Sequence, residues 1–158
     1  MIEKKTAVLF EVSCAMGAIC AKRKQKDVKN LSMFGRNLGI VFQITDDLIG
    51  IIGDSKITKK PVGNDIREGK KSLPIILAIK KAKGNDKKTI MRVFGNSKAS
   101  KQQICLAVNV IRSLGVEEEV RNMTLKYAQQ AEKSLRTYTG TAKDEMISLL
   151  ASVISRRM

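Results

Sequence analysis

The chain has 158 residues, a length typical of one domain, and 43% of them are apolar, which argues against wholesale disorder. Lysine and arginine total 30 against 15 for aspartate and glutamate, and this net charge of +15 predicts attraction to an anionic partner: nucleic acid, an acidic membrane surface or a phosphorylated substrate. Histidine is absent, which excludes serine–histidine hydrolysis and histidine-based zinc sites.

Apolar residues recur at helical spacing along most of the chain and predict an all-α helical bundle. The predicted helices span residues 6–22, 27–52, 72–83, 86–94, 98–113, 116–136 and 142–157. Residues 53–71 carry many charges and no apolar periodicity, so we expect a long functional loop there.

The first predicted helix has two kinds of apolar position. Larger side chains recur at helical spacing, and small residues would allow a neighbouring helix to approach closely. The large residues are Val8, Leu9, Val12, Met16 and Ile19, and the small ones are Ala15, Gly17 and Ala18.

Local signals mark several helix ends. Ser72, Asn96–Ser97 and Thr141 are expected to cap the starts of three helices. Gly115 is expected to end another helix, because glycine readily adopts the left-handed conformation of a C-terminal stop.

The three cysteines lie in apolar helical stretches without a CxxC pair, and we expect buried, reduced thiols at Cys14, Cys20 and Cys105. No apolar run approaches the roughly 20 residues of a membrane span. The N-terminal residues lack the apolar run of a signal peptide, so we expect a cytoplasmic protein without a transmembrane segment.

Two adjacent carboxylates near the end of the second predicted helix are the first candidate for chemistry. Gln43 precedes Asp46 and Asp47 by one helical turn. Flanking apolar residues make such a pair costly unless a cation offsets its charge, and Mg²⁺ prefers oxygen ligands. The alternative is a solvated helix end that happens to be acidic.

The loop that follows concentrates lysines and glycines around Asp65. Residues 59–71 read KKPVGNDIREGKK, and lysines with closely approaching backbone suit a phosphate group. A flexible basic loop is the alternative. Carboxylates for Mg²⁺ followed by a lysine loop are what a diphosphate group requires.

Together these segments resemble the second half of a trans-isoprenyl diphosphate synthase of the polyprenyl synthetase family. Phe42–Asp47 is similar to the start of the family's second aspartate-rich motif, FQxxDDxxD, although Gly50 replaces the last aspartate. Lys60–Lys70 is similar to the downstream GKPxGxDxxEGK stretch, and Glu3–Ala7 to the lysine–threonine motif.

The resemblance implies condensation of an allylic diphosphate with isopentenyl diphosphate, assisted by Mg²⁺. It implies that Asp46 and Asp47 are Mg²⁺ ligands and that Asp65 holds a metal-bound water. Lys5, Lys60 and Lys70 would bind the leaving diphosphate. Thr6 and Gln43 would line the allylic site near the cation, so the implied catalytic group is Lys5, Thr6, Gln43 and Lys60.

The family's first aspartate-rich motif lies upstream of the lysine–threonine motif, where this chain begins. We therefore interpret residues 1–158 as one partial helical domain with a charged catalytic loop at about 53–71. Half a bundle leaves apolar helix faces uncovered, which predicts a homo- or hetero-oligomer with a chain supplying the N-terminal half.

Two other functions stay open at this point. The chain could be a non-catalytic accessory subunit or a truncated fragment of such a synthase, although retention of Asp46, Asp47, Lys60 and Lys70 argues against a purely structural role. Binding to nucleic acid is the third interpretation. The lysines are spread along the chain without a helix-turn-helix, zinc or RNP-like pattern, so specific nucleic-acid binding is not expected.

Overall fold

The computed structural model describes residues 2–53 and 63–156, and those residues form helices without any strand. The predicted all-α class is confirmed. The chain begins with a π-helical turn, Glu3–Ala7, followed by α1 (Val8–Cys20), α2 (Gln25–Ile52), α3 (Asn64–Arg67), α4 (Leu73–Lys81), α5 (Gly84–Val93), α6 (Lys101–Ser113), α7 (Val116–Leu135) and α8 (Thr141–Ile154).

The chain divides into two compact units. The first unit comprises Met1–Thr45 and Asn122–Arg156, and most of the second is Asp46–Arg121. The first unit is built around an aromatic and aliphatic core with helical spacing on each contributing helix, which is what the sequence periodicity predicts. Its buried members are Phe34, Leu38, Val41, Ala128, Ala131, Leu135, Leu150 and Val153.

In the first unit, α1 approaches α2 closely at two glycines. A Cβ atom at Gly39 would lie 2.6 Å from the Cα of Ala7, and one at Gly35 would lie 2.8 Å from the carbonyl carbon of Phe10. Real Cβ atoms do not come this near to backbone, so only glycine allows this helix separation. Phe10 also packs its ring against Phe42, with 5.5 Å between the ring centroids.

The second unit packs α5 against α6, and α4 contacts α5. Its core is aliphatic and consists of isoleucine, valine and alanine side chains, which recur at helical spacing on the longer helices. Fully buried side chains in this unit are Ile51, Ile66, Ile75, Ala78, Ile90, Val93, Ala107, Ile111, Val116 and Val120.

A one-turn helix lies within residues 53–71, the segment that the sequence predicts to be a loop. α3 covers Asn64–Arg67, and it places Ile66 and Asp65 in buried positions. Four residues are too few to produce a hydrophobic period, which is why the pattern does not reveal this turn. Lys59 and Lys60 lie outside the described residues, so their predicted roles stay predictions.

The caps of the helices differ from expectation in three places. Ser100, rather than Asn96–Ser97, caps α6 in a capping box with Gln103. Gly140 precedes α8, so Thr141 is the first helical residue and not the cap. Ser72 occupies the N-cap position of α4 but makes no side-chain capping bond. The predicted stop at Gly115 is confirmed by its φ of +66°.

This difference between Ser72 and Ser100 gives a paired prediction. We expect Ser100→Ala to lower the free energy of unfolding by about 1 kcal/mol, because it removes a capping bond. The Ser72 hydroxyl is buried and has no partner among the described residues. We therefore expect Ser72→Ala to be neutral or stabilising. Urea unfolding of both variants checks this, and a loss of about 1 kcal/mol for Ser72→Ala would contradict it.

The expectation of buried cysteines is wrong for two of the three. All three are free thiols; Cys20 at the end of α1 and Cys105 on α6 are exposed, whereas Cys14 is half-buried. Cys14 faces α2, where a Cβ atom at Gly35 would approach its Sγ to 2.9 Å. Burial raises the pKa of the Cys14 thiol, which lowers its thiolate fraction and therefore its reactivity.

A second face of α1 is apolar and exposed. Its residues are between 44% and 66% exposed: Val8, Leu9, Val12, Met16 and Ile19, called here the α1 stripe. Exposed apolar stripes of this kind are typical of interaction surfaces. Elsewhere, no helix in residues 2–53 or 63–156 is long and apolar enough to cross a bilayer.

Candidate functional site

The acidic pair is carried by the last third of α2. Asp46 and Asp47 are both half-buried, and the next residue, Leu48, is buried in the core. This burial fixes the rotation of the helix, and with it the direction in which the two carboxylates leave the backbone. Gln43 lies one turn earlier on the same continuous helix.

Within the first unit, the structure joins two of the predicted site residues directly. The Thr6 hydroxyl donates a hydrogen bond to Oε1 of Gln43 at 2.5 Å, across 37 positions of sequence. Thr6 belongs to the π-helical turn, and the neighbouring Ala7 is fully buried where α1 meets Gly39. Turns of this kind occur frequently at functional sites. Lys5 is exposed on the same turn.

In the second unit, Asp65 lies against the α2 backbone at Gly50. A Cβ atom at position 50 would lie 2.5 Å from Oδ2 of Asp65 and 2.7 Å from its Cγ. Position 50 follows Asp46 by one helical turn, on the same face. The carboxylate of Asp65, from α3, therefore occupies the space that a side chain at residue 50 would enter. Glycine at residue 50 leaves room for the Asp65 carboxylate.

Lys70 is held between two acidic side chains. Its Nζ lies 2.6 Å from Oδ1 of Asp65 and 3.2 Å from Oε2 of Glu68. The backbone N–H of Lys70 also donates to the carbonyl oxygen of Asp65 at 3.0 Å, and the Asn64 amide donates to Glu68. The tight turn after α3 therefore holds Asp65, Glu68 and Lys70 together through local contacts.

The electrostatics of the cluster follow from these contacts. The hydrogen bond with Asp65 is the main cause that raises the pKa of Lys70, so its ammonium stays charged. The hydrogen bond with Lys70, and then the charge of that ammonium, lower the pKa of Glu68. The charge of the Arg67 guanidinium acts on the pKa of Glu68 in the same direction, so a second cation belongs to the cluster.

Glu68 and the contact of Asp65 with Gly50 were not predicted from the sequence. The signal available for Glu68 was its position two residues before Lys70, just after α3. No group of three acidic or thiol side chains within the described residues is close enough to hold a metal ion. Asp46, Asp47 and Asp65 nevertheless supply hard oxygen donors, the ligand type that suits Mg²⁺.

Comparison with known proteins decides the family. The sequence model of the polyprenyl synthetase family matches residues 1–111, which is more than half of the chain. The chain belongs to the polyprenyl synthetase family. The geranylgeranyl diphosphate synthase of Saccharolobus solfataricus is 39% identical over 160 residues, covering 99% of this chain and 48% of that protein.

Solved structures of this family resemble the chain closely. Geranylgeranyl pyrophosphate synthetase from Pyrococcus horikoshii Ot3 superposes with a TM-score of 0.90 at 32% identity, over 99% of this chain and 48% of that one. A geranylgeranyl pyrophosphate synthase from Corynebacterium glutamicum, complexed with isoprenyl diphosphate and magnesium, gives a TM-score of 0.82 at 30% identity, over 90% of this chain and 41% of that one. The chain spans about half the length of the curated relatives that it matches.

Proposed function

We propose that this polyprenyl synthetase chain contributes the diphosphate-binding half of a short-chain isoprenyl diphosphate synthase. The observation that carries the proposal is the placement of Asp65 against Gly50, one turn after Asp46, with Lys70 on the same carboxylate. This arrangement combines oxygen donors for a dication with a cation for phosphate, which is the pairing that diphosphate departure requires.

The proposed reaction forms one carbon–carbon bond and breaks one carbon–oxygen bond. The allylic C–O bond breaks, and the diphosphate leaves with the electron pair. The double bond of isopentenyl diphosphate then attacks the allylic carbon, and loss of a proton restores a double bond. Mg²⁺, when bound, would neutralise charge on the leaving diphosphate.

The chain's own residues divide this work between them. Asp46 and Asp47 are the proposed ligands of Mg²⁺, and Asp65 holds a water of that ion. Mg²⁺ usually keeps several waters and takes one or two carboxylates together with substrate phosphates, so a three-carboxylate cage is not required.

The remaining roles fall to cationic and neutral polar side chains. Lys5, Lys60 and Lys70 bind the diphosphate as point charges. Thr6 and Gln43, already hydrogen-bonded to each other, orient neutral dipoles at the developing allylic cation.

A second chain completes the proposed enzyme. The α1 stripe leaves five large apolar side chains exposed, and curated relatives of the family are about twice as long as this chain. We propose that a chain bearing the first aspartate-rich motif covers this stripe, in a homo- or hetero-oligomer. The accessory-subunit interpretation keeps the assembly but removes the role of Asp46 and Asp47.

Calorimetric titration with an allylic diphosphate, with and without Mg²⁺, tests the half-site. We expect Mg²⁺-dependent binding by the wild type and at least about 10-fold weaker binding by Asp46→Asn/Asp47→Asn. Asp86→Asn, on the exposed first turn of α5, is the matched control and should bind as the wild type does. Equal binding by the wild type and the double variant would mean that the lysines form only a basic surface. The chain would then be a fragment or an accessory subunit.

The proposal that a second chain completes the enzyme is tested separately, by mixing two polypeptides. A polypeptide carrying the first motif should restore prenyl transfer to the wild-type chain, and Leu9→Glu should prevent this while diphosphate binding persists. Restoration by the Leu9→Glu variant would contradict the α1 stripe as the contact surface.

A further inference from the structure

A groove between α4 and α5 has no role in the reaction proposed above. Its volume is about 420 Å³, which is within the range of small-molecule sites, and it lies wholly inside the second unit. Four apolar side chains supply most of its wall: Ile75, Ile76, Ile79 and Phe94. Ile75 is fully buried, whereas Ile76 is 50% exposed despite its size. The groove therefore presents apolar surface to solvent.

The polar part of this wall is entirely cationic. It consists of Lys71, Lys80 and Lys87, and no carboxylate lines the groove among the residues that the structure describes. Lys81 pairs with Glu119 at 2.5 Å, whereas Lys80 and Lys87 form no ion pair within residues 2–53 and 63–156. The groove thus combines apolar surface with positive charge that the described part of the chain does not neutralise.

Two of the three lysines lie on either side of the connection between the helices. Lys80 is in the last turn of α4, Lys87 is near the start of α5, and Lys71 precedes α4 altogether. Ile76 lies one turn before Lys80 on α4. Lysine side chains extend their methylene stems along apolar surface and keep the ammonium in water. One end of the groove therefore carries two ammonium groups, and apolar surface leads away from them.

We propose that this groove binds a free amphiphilic anion, which consists of a single apolar chain with an anionic head group. The head lies between Lys80 and Lys87 and accepts charge-assisted hydrogen bonds from them. The chain covers Ile76 and extends toward Phe94. A neutral chain would leave the ammonium groups without a partner, and a small anion would leave the apolar wall exposed. A concave site also fits one chain better than it fits the flat surface of a bilayer.

Calorimetric titration of the whole chain with monomeric dodecyl phosphate, in the absence of Mg²⁺, tests this site. We expect binding at least about 10-fold tighter than that of inorganic phosphate, because the chain buries apolar surface. Added salt should weaken it, since the lysines are exposed. Omission of Mg²⁺ keeps the proposed half-site out of the measurement. Asp46→Asn/Asp47→Asn should therefore bind dodecyl phosphate as the wild type does.

Two variants separate the head from the chain. Lys80→Met/Lys87→Met keeps most of each stem, and it should weaken dodecyl phosphate binding about 3–10-fold through the lost charges. Ile76→Ser should weaken it about 3–10-fold through the lost apolar contact. Lys88→Met and Leu106→Ser are the matched controls, because both residues are exposed and lie outside the groove wall. Each control should change the affinity less than about 2-fold.

Several outcomes would overturn the site. Wild-type affinity in Lys80→Met/Lys87→Met or in Ile76→Ser is the first, and the lysine variant decides alone if Ile76→Ser loses its helical circular dichroism. Binding to phosphatidylglycerol vesicles without binding of monomeric dodecyl phosphate would assign the lysines to a bilayer surface instead. Tighter binding of an acidic amphipathic peptide would assign the groove to a protein partner. Failure of Mg²⁺-dependent diphosphate binding would overturn the proposed function and leave this site intact.

Discussion

Replacing Gly39 by alanine is expected to lower the free energy of unfolding by about 1–3 kcal/mol, the usual cost of overpacking. The new Cβ would lie 2.6 Å from the Cα of Ala7 and 3.1–3.2 Å from the Phe10 side chain. Backbone cannot rotate away as a flexible side chain can, so α1 has to move. Because Ala7 follows Thr6, this movement should also lengthen the hydrogen bond to Gln43. Urea unfolding measures the loss of stability.

Gly17→Ala is the control for this prediction. A Cβ at Gly17 meets no atom within 4 Å, so alanine there should stabilise α1 by about 0.5–1 kcal/mol through helix propensity. Gly35→Ala should behave as Gly39→Ala does, since its Cβ would also meet backbone. Equal stabilisation by alanine at positions 17 and 39 would show that the two helices are not held at the described separation.

Introducing the family's aspartate at position 50 is expected to weaken Mg²⁺-dependent diphosphate binding rather than strengthen it. The Cβ of the new side chain would lie 2.5 Å from Oδ2 of Asp65, so Asp65 must leave its place and with it Lys70. Two carboxylates would then compete for one space and repel each other. We expect at least about a 10-fold loss in calorimetric titration if Asp46 and Asp47 are Mg²⁺ ligands as proposed, because changes beside metal ligands typically cost that much.

A double-mutant cycle isolates the cause. Gly50→Ala removes the added charge but keeps the steric conflict, and it should destabilise the chain in spite of the better helix propensity of alanine. Combined with Asp65→Ala, the same change should become neutral or stabilising, because the conflicting atoms are gone. Tighter binding by Gly50→Asp would contradict the expected steric conflict between a side chain at residue 50 and the Asp65 carboxylate.

The helices and their order follow from sequence because their signals are local. Apolar spacing predicts α2 almost to the residue, and the left-handed glycine at position 115 predicts the end of α6. Caps are less certain, since Ser72 and Ser100 look alike in sequence. Only the Gln103 side chain and the space around each hydroxyl separate a capping serine from a buried one.

The contacts of the site are non-local or depend on packing. Asp65 meets Gly50 across 15 positions, through a segment without periodicity, and neither residue signals the other. In the sequence, glycine at position 50 looks like the loss of a motif aspartate. In the fold, the Asp65 carboxylate occupies the space beside this glycine. Thr6 and Gln43 could be associated only through the family resemblance.

Periodicity also does not tell which face of α1 is covered. Phe10, Cys14 and Ala18 pack inward, while the larger α1 stripe faces outward. Both sets recur at helical spacing, and composition favours the stripe as the more apolar of the two. The choice is made by Gly35 and Gly39 on α2, which accept only the face that carries Phe10 and Cys14.

The bond between Thr6 and Gln43 fixes the polarity of the threonine oxygen. A hydroxyl has a single proton, and Thr6 uses it on Oε1 of Gln43. Any group that approaches Thr6 from another side therefore meets lone pairs alone. Such an oxygen repels the oxygens of a diphosphate and attracts an electron-poor carbon. In the proposed reaction, Thr6 would thus discriminate between the two ends of the allylic diphosphate without carrying any charge itself.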